Sequence, residues 1–156
     1  MKQLIAIFAF ALVAACGFKP VYSTGLDGNY DGAISVEKIP GRSGYMLRRA
    51  LQEELAAGLP GIAESATLKV TLEENLSRLT FKPDGAASRS SVVARGRYML
   101  FTDQDNIAGS VQTDVNFAVP DSPYGDIASQ TGAADRAMRT LAKRIVDDLR
   151  LKLTAD

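Results

Sequence analysis

The sequence contains no histidine and no tryptophan, and its one cysteine is at position 16. Without histidine the chain cannot build a Ser-His-Asp or Cys-His nucleophilic site, and it lacks the usual ligand sets for zinc. A single cysteine also excludes a disulfide within the chain. We therefore predict a protein that is not an enzyme and that has no catalytic site, no metal and no cofactor.

The chain also lacks an excess of charge of either sign. Eighteen basic residues balance eighteen acidic ones, so the composition gives no general attraction to nucleic acid, and we expect no nucleic-acid partner. The length of 156 residues and the hydrophobic content of 46% are typical of one globular domain.

No apolar run is long enough to span a membrane as a helix. The longest one, residues 4–15, covers roughly 18 Å at about 1.5 Å per residue, against a hydrocarbon core of about 30 Å. It follows Lys2 and ends in Ala14 and Ala15. A charged start, a short apolar core and small residues before a break are typical of a secretory signal, which we predict at residues 1–15.

The cysteine directly follows this run, in the sequence Val13-Ala14-Ala15-Cys16. These four residues resemble the bacterial lipobox, in which the cysteine is acylated and becomes the first residue of the mature protein. We predict Cys16 as the lipid (palmitate) attachment site and residues 16–32 as a lipidated tether; the alternative is a plain secreted protein with an incidental cysteine. Several acyl chains give durable anchoring. The next residue is Gly17 rather than Asp, which favours the outer membrane over the inner one.

One stretch of the tether has the outline of a calcium loop. The sequence DGNYDG at residues 27–32 matches its first six positions, but the twelfth position is Lys38 instead of a bidentate glutamate. The segment is better interpreted as a polar turn.

The remaining chain has the patterns of a small sheet with two helices. Alternating apolar and polar residues predict strands at residues 33–39, 66–74, 90–101 and 107–119. Apolar residues at helical spacing predict one helix around Leu47 to Leu55 and another from about residue 128 to residue 153. Residues 82–90 are predicted to form a polar hairpin loop.

The order of these elements predicts the fold class. We expect an α+β fold in which two helices pack on one face of a four-stranded, mostly antiparallel sheet, formed by residues 33–156 as a single α/β sandwich domain. In the last strand Ser110, Gln112, Asp114 and Asn116 alternate with apolar residues. This alternation indicates that the other face of the sheet is in water.

Two segments resemble a known family. The sequence CGFKPVY directly after the lipobox, and the closing segment SPYGDIASQTGAADRAMRTLAKRIVDDLRLKL, are similar to lipopolysaccharide-assembly lipoproteins of the LptE type, particularly the alphaproteobacterial branch. The resemblance implies a non-catalytic subunit of the lipopolysaccharide translocon, lipid-anchored on the periplasmic side of the outer membrane. Its expected partners are lipopolysaccharide and a large outer-membrane β-barrel protein of the LptD type, which it would plug and help to assemble.

Contact with lipopolysaccharide requires cations that meet phosphates, and arginine can bind a phosphate through two hydrogen bonds. The cations around the central hairpin are the predicted lipopolysaccharide-binding residues: Lys82, Arg89, Arg95 and Arg97. The alternative is that Arg95 and Arg97 are solvated or pair with carboxylates.

Two other functions stay open at this point. One is an auxiliary lipoprotein of another envelope transport system, which would share the lipobox, the size and the α/β pattern. The other is a lipid-anchored enzyme in which Ser43, Ser90 or Ser91 acts as a nucleophile with a nearby lysine.

Overall fold

The computed structural model describes residues 34–155. The predictions for the signal peptide at residues 1–15, for the tether at residues 16–32 with its DGNYDG turn, and for the acylation of Cys16 lie outside the described residues.

The described chain folds into a four-stranded sheet and two helices, which confirms the predicted α+β class. The elements are β1 (Ile34–Val36), α1 (Gly41–Glu54), a 3-10 turn (Leu55–Ala57), β2 (Ala66–Phe81), β3 (Ala87–Phe101), β4 (Asn106–Ala118) and α2 (Pro123–Ala155). The strand order in the sheet is β1-β2-β3-β4. β1 is parallel to β2, and the other two pairings are antiparallel.

Both helices bury their apolar sides in one core on the same face of the sheet. In β2 and β3 every second residue points into this core, and Leu68, Tyr98 and Leu100 are buried there. The side of α2 that is buried in the core carries Ala133, Ala137, Met138, Leu141, Ala142, Ile145, Val146 and Leu149. We call this side of the sheet the covered face.

A glycine lets α2 come close to the middle of the sheet. A Cβ atom at Gly96 would lie 3.1 Å from Cδ1 of Ile145, which is tighter than ordinary van der Waals contact. The missing side chain therefore provides the room in which Ile145 and Leu141 pack over β3.

The β2–β3 hairpin is longer than its sequence pattern predicts. β2 extends to Phe81 and β3 begins at Ala87, so the loop is only residues 82–86 and not 82–90. This part of the hairpin has no buried apolar face, since its large apolar residues Leu79 and Phe81 are exposed, so the regular apolar alternation of a half-buried strand is absent. The two strands pair there, with register irregularities after Arg78, so the backbone ladder extends the strands further than apolar burial predicts.

The first strand and the second helix also differ from the prediction. β1 is shorter, at Ile34–Val36 rather than residues 33–39, while α2 begins at Pro123 rather than near residue 128. Proline suits the first helical position because its missing N–H needs no partner there. The hydroxyl of Ser122 accepts a hydrogen bond from the backbone N–H of Gly125 (3.1 Å), and this cap fixes the start of the helix.

No helix within residues 34–155 combines the length and the apolar character that crossing a membrane would require.

Candidate functional site

The face of the sheet opposite the helices carries polar side chains in a regular arrangement. We call it the open face, because no helix or strand among residues 34–155 covers it. Its side chains come from alternate positions of the three long strands, and the register aligns them in rows. It consists of Thr67, Lys69, Thr71, Glu73 and Asn75 of β2, Val93, Arg95, Arg97, Met99 and Phe101 of β3, and Asn106, Ala108, Ser110, Gln112, Asp114 and Asn116 of β4.

Charged and amide side chains pair across the middle of the open face. The Arg97 guanidinium forms an ion pair with Glu73 of β2. On the other side, the Arg95 guanidinium donates two hydrogen bonds to Oε1 of Gln112 in β4, at 2.8 and 3.2 Å. Exposed pairs of this kind each contribute only about 0–1 kcal/mol, because water screens them. Replacing these pairs by contacts with another molecule therefore costs little free energy.

The structure brings two of the four predicted lipopolysaccharide-binding residues together. Arg95 and Arg97 are next to one another on the open face, whereas Arg89 lies roughly 20 Å further along β3 at about 3.3 Å per residue. Lys82 is in the hairpin loop and forms an ion pair with Asp121, just before α2. The hydrogen bond to Asp121 raises the pKa of Lys82.

The four cations differ in how free they are to bind phosphate. No carboxylate among residues 34–155 forms an ion pair with Arg89 or Arg95, whereas Arg97 and Lys82 are paired with Glu73 and Asp121. Their role in binding lipopolysaccharide stays a prediction.

Two of the three serines considered as nucleophiles are poorly placed for that chemistry. Ser90 and Ser91 are each 1% exposed, so a substrate cannot reach them. The Ser91 hydroxyl donates to the carboxylate of Asp114 on β4. Ser43 is at the first turn of α1. Within residues 34–155, no group of three or more His, Cys, Asp or Glu side chains is arranged to hold a metal ion.

A partly buried polar cluster fixes the end of α2 against the sheet. The hydroxyl of Tyr98, which is 3% exposed, donates to the carboxylate of Asp148. The Lys152 ammonium donates to the Tyr98 oxygen (3.0 Å) and to the carbonyl oxygen of Ala108 in β4 (2.8 Å). A Cβ atom at Gly109 would overlap the Tyr98 hydroxyl, so the cluster requires glycine there.

Each group in this cluster has a shifted pKa with an identifiable cause. The hydrogen bond from Tyr98, together with Lys152, lowers the pKa of the Asp148 carboxyl. Burial raises the pKa of Tyr98, and its hydrogen bond to Asp148 adds to the rise. The Lys152 pKa is raised by its bonds to Tyr98 and Asp148. Both neighbours of the ammonium thus favour its charged form.

The sequence analysis missed a cleft beside β2. It has a volume of about 200 Å³ and lies between the two helices and the hairpin half of the sheet. Its lining includes Arg42, Met46, Glu74, Leu76, Val92 and Ala134. No sequence signal points to it, because its walls come from four elements that meet only in the fold.

Comparison with solved structures identifies proteins of the same fold. A lipoprotein from Caulobacter crescentus is 25% identical, with a TM-score of 0.58, over 79% of this chain and 92% of its own. The rare lipoprotein B from Shewanella oneidensis is 10% identical, with a TM-score of 0.58, over 79% of this chain and 96% of its own. A minor lipoprotein from Acinetobacter baumannii is 12% identical, with a TM-score of 0.53, over 78% and 94%.

No curated protein sequence matches the chain. A family model does: the one described as LptE, lipopolysaccharide-assembly, matches residues 32–149. This match covers all four strands, α1 and α2 as far as Leu149, and far more than half of the chain. The chain therefore belongs to the LptE family of lipopolysaccharide-assembly proteins.

Proposed function

We propose that this protein is the lipid-anchored outer-membrane subunit of a lipopolysaccharide translocon. It sits in the lumen of a large β-barrel partner of the LptD type, plugs that barrel, assists its assembly and helps lipopolysaccharide to insert at the cell surface. Acyl chains on Cys16 hold it on the periplasmic side of the outer membrane. The proposal builds on the membership in the LptE family.

The observation that carries the proposal is the polarity of the open face. Three strands present side chains such as Glu73, Arg95 and Gln112 in cross-strand rows, with no covering element among residues 34–155. The inside of an outer-membrane barrel is polar as well. A sheet face of this kind can meet such a wall through many direct and water-mediated hydrogen bonds, as non-obligate interfaces do.

A role as an accessory subunit also agrees with the chemistry of the chain. The sequence has no histidine, and the two central serines are buried. Binding and positioning, rather than turnover, are therefore the functions that the described residues favour.

Contact with lipopolysaccharide would use the cations on β3 and the hairpin loop. Arg89 and Arg95 have no carboxylate partner among residues 34–155, so each can take a phosphate without first losing an ion pair. Arg97 and Lys82 would have to exchange Glu73 and Asp121 for the phosphate. We therefore expect Arg89 and Arg95 to contribute more than the other two.

The test is purification of the full-length, lipidated chain from detergent-solubilised outer membranes. We expect a β-barrel protein of several hundred residues to copurify in stoichiometric amount, and we expect depletion of the chain to stop lipopolysaccharide from reaching the surface. The variant Cys16→Ala, which cannot be acylated, is the control for anchoring. Copurification of an inner-membrane ATPase system instead, with normal surface lipopolysaccharide after depletion, would assign the chain to another transport system.

A further inference from the structure

The two edges of the sheet differ in how much of their backbone is hydrogen-bonded by other parts of the fold. At the β4 edge, α2 supplies donors to carbonyl oxygens of the strand: Lys152 donates to Ala108 at 2.8 Å, and Arg144 donates to Gln112. At the opposite edge, β1 pairs with β2 only from Ala66 to Leu68. The β4 edge is thus occupied by side chains from α2, whereas most of the β2 edge is not.

The direction of the free backbone groups follows from one hydrogen bond. The carbonyl oxygen of Leu68 accepts from the N–H of Glu37 at 2.9 Å, so Leu68 faces the β1 side. Backbone direction alternates along a strand, and hence Val70, Leu72, Glu74 and Leu76 also point their N–H and C=O groups away from β3. No strand within residues 34–155 pairs with these groups.

The cleft lies beside this free edge, on the covered side of the sheet. Glu74 and Leu76 line it together with Met46 and Arg42 of α1. Leu76 is 41% exposed although it is a large apolar residue. The Arg42 guanidinium has no carboxylate partner among residues 34–155. Glu74, which also lines the cleft, has no basic partner among these residues either, so the cleft combines an apolar floor with one unpaired cation and one unpaired carboxylate.

We propose that residues 70–76 form a strand-addition site for an extended segment of the partner barrel protein. The inference rests on the proposed function. The added strand would pair its backbone with Val70, Leu72, Glu74 and Leu76, and every second side chain would point towards the cleft. Strand addition obtains affinity from main-chain hydrogen bonds and specificity from pockets for alternate side chains. The cleft favours an apolar side chain over Leu76 and a polar one near Arg42 and Glu74.

Two other occupants fit the edge less well. One is the segment that precedes β1: β1 runs parallel to β2 and begins with Ile34 opposite Ala66, so the start of β1 is directed away from residues 70–76. A second copy, paired antiparallel and centred on residues 70–76, would place Glu73 opposite Glu73 of the other chain. Like charges directly opposite one another destabilise a sheet.

Glu74→Pro in the full-length, lipidated chain tests the site, with Glu74→Ala as the matched control. Glu74 is exposed and its N–H points outward, so proline leaves the β2–β3 ladder intact but blocks pairing at the free edge. We expect the amount of copurified barrel protein to fall about tenfold with proline and less than about twofold with alanine. Equal retention by the two variants overturns the proposal.

A second pair of variants does not depend on how well the proline is tolerated. Leu76→Lys places a charge on the floor of the cleft, and Leu79→Lys makes the same change on the same strand outside the cleft. The two leucines are similarly exposed, at 41% and 49%. We expect Leu76→Lys to reduce barrel copurification at least about fivefold more than Leu79→Lys does. Equal losses contradict a specific cleft.

Photo-crosslinking from residue 74 identifies the occupant. A crosslink to the barrel protein supports the proposal, whereas a crosslink to a second copy or to residues 17–33 of the same chain overturns it. The proposed function fails separately, if the wild-type chain does not copurify a barrel at all. Normal barrel copurification without any crosslink at position 74 refutes strand addition and leaves the proposed function in place.

Discussion

The two faces of the sheet share the same strands but differ in the interactions that their side chains make. In β3 the residues Tyr98 and Leu100 are buried under the helices, and the residues that alternate with them, Arg97 and Met99, lie on the open face. The covered face gains free energy from apolar burial, at about 25 cal/mol per Å², while exposed polar pairs contribute little. The stability of the fold therefore comes from one face, which leaves the other free to specify a partner.

The largest effect on stability is expected on the covered face. Leu100→Ala removes a fully buried side chain and should lower the free energy of unfolding by about 2–5 kcal/mol. Its neighbour Met99 is 38% exposed, and we expect Met99→Ala to cost less than about 1 kcal/mol. Denaturant unfolding followed by circular dichroism measures both. Equal losses for the two variants would mean that the faces do not differ as described.

The next effect is expected where α2 is fixed to β4. Gly109→Ala forces the new Cβ atom against Tyr98 and Lys152, and we expect a loss of about 1–3 kcal/mol. Gly132, inside α2, has only the end of the Arg136 side chain near its Cβ position, at 3.5 Å. Gly132→Ala should raise the free energy of unfolding by up to about 1 kcal/mol, since alanine favours a helix more than glycine does. Thermal unfolding measures both changes, which we expect to have opposite signs. A Gly109→Ala variant as stable as the wild type would contradict the described packing.

A smaller effect is expected from the pH dependence of the same cluster. Because the folded state lowers the pKa of Asp148, its contribution is present above the pKa of the unfolded chain and is lost as the pH falls through the lower, folded value. The raised pKa values of Tyr98 and Lys152 act in the opposite direction, and their contribution is lost as the pH rises through the folded values.

Asp148→Asn should therefore flatten the acid side of the stability profile, and Tyr98→Phe should flatten the alkaline side. Unfolding midpoints measured between about pH 2 and pH 12 test both signs, since the ordinary pKa values are about 4 for Asp and about 10 for Tyr. An unchanged acid limb in Asp148→Asn would show that Asp148 does not couple folding to protons.

The smallest effect on stability is expected on the open face. Arg97→Ala breaks an exposed ion pair with Glu73 and should change the free energy of unfolding by less than about 1 kcal/mol. Glu73→Ala, alone and combined with Arg97→Ala, completes a double-mutant cycle. A coupling energy well above that range would mean that this pair belongs to the fold rather than to a binding surface.

The sequence pattern predicts which face of the sheet a residue points to better than it predicts where the strands and helices begin and end. Alternation in β3 and β4 identifies which residues point to the helices, because apolar burial drives that choice. The same criterion fails beyond Arg78, where the hairpin has no buried apolar face and backbone pairing extends the strands to Phe81 and Ala87. It also places the start of α2 too late, because Ser122 caps the helix before its apolar stripe begins.

The site was predictable only in part. Arg95 and Arg97 are two residues apart on one strand, so their common face follows from the period of a strand. The Tyr98–Asp148–Lys152 cluster joins residues about fifty positions apart, and no local pattern encodes such contacts. The free edge of β2 depends on how short β1 is, since pairing stops at Leu68. Edge exposure is a property of the whole topology and not of the β2 sequence.

The central claim is that the open face docks against a barrel partner, and one measurement tests it most directly. Arg95→Gln combined with Arg97→Gln removes the positive charge at the centre of this face in the full-length, lipidated chain without placing a carboxylate opposite Glu73. We predict that unfolding stability stays within about 1 kcal/mol of wild type while barrel copurification from outer membranes falls about tenfold or more. Wild-type levels of copurified barrel in this variant would contradict the account.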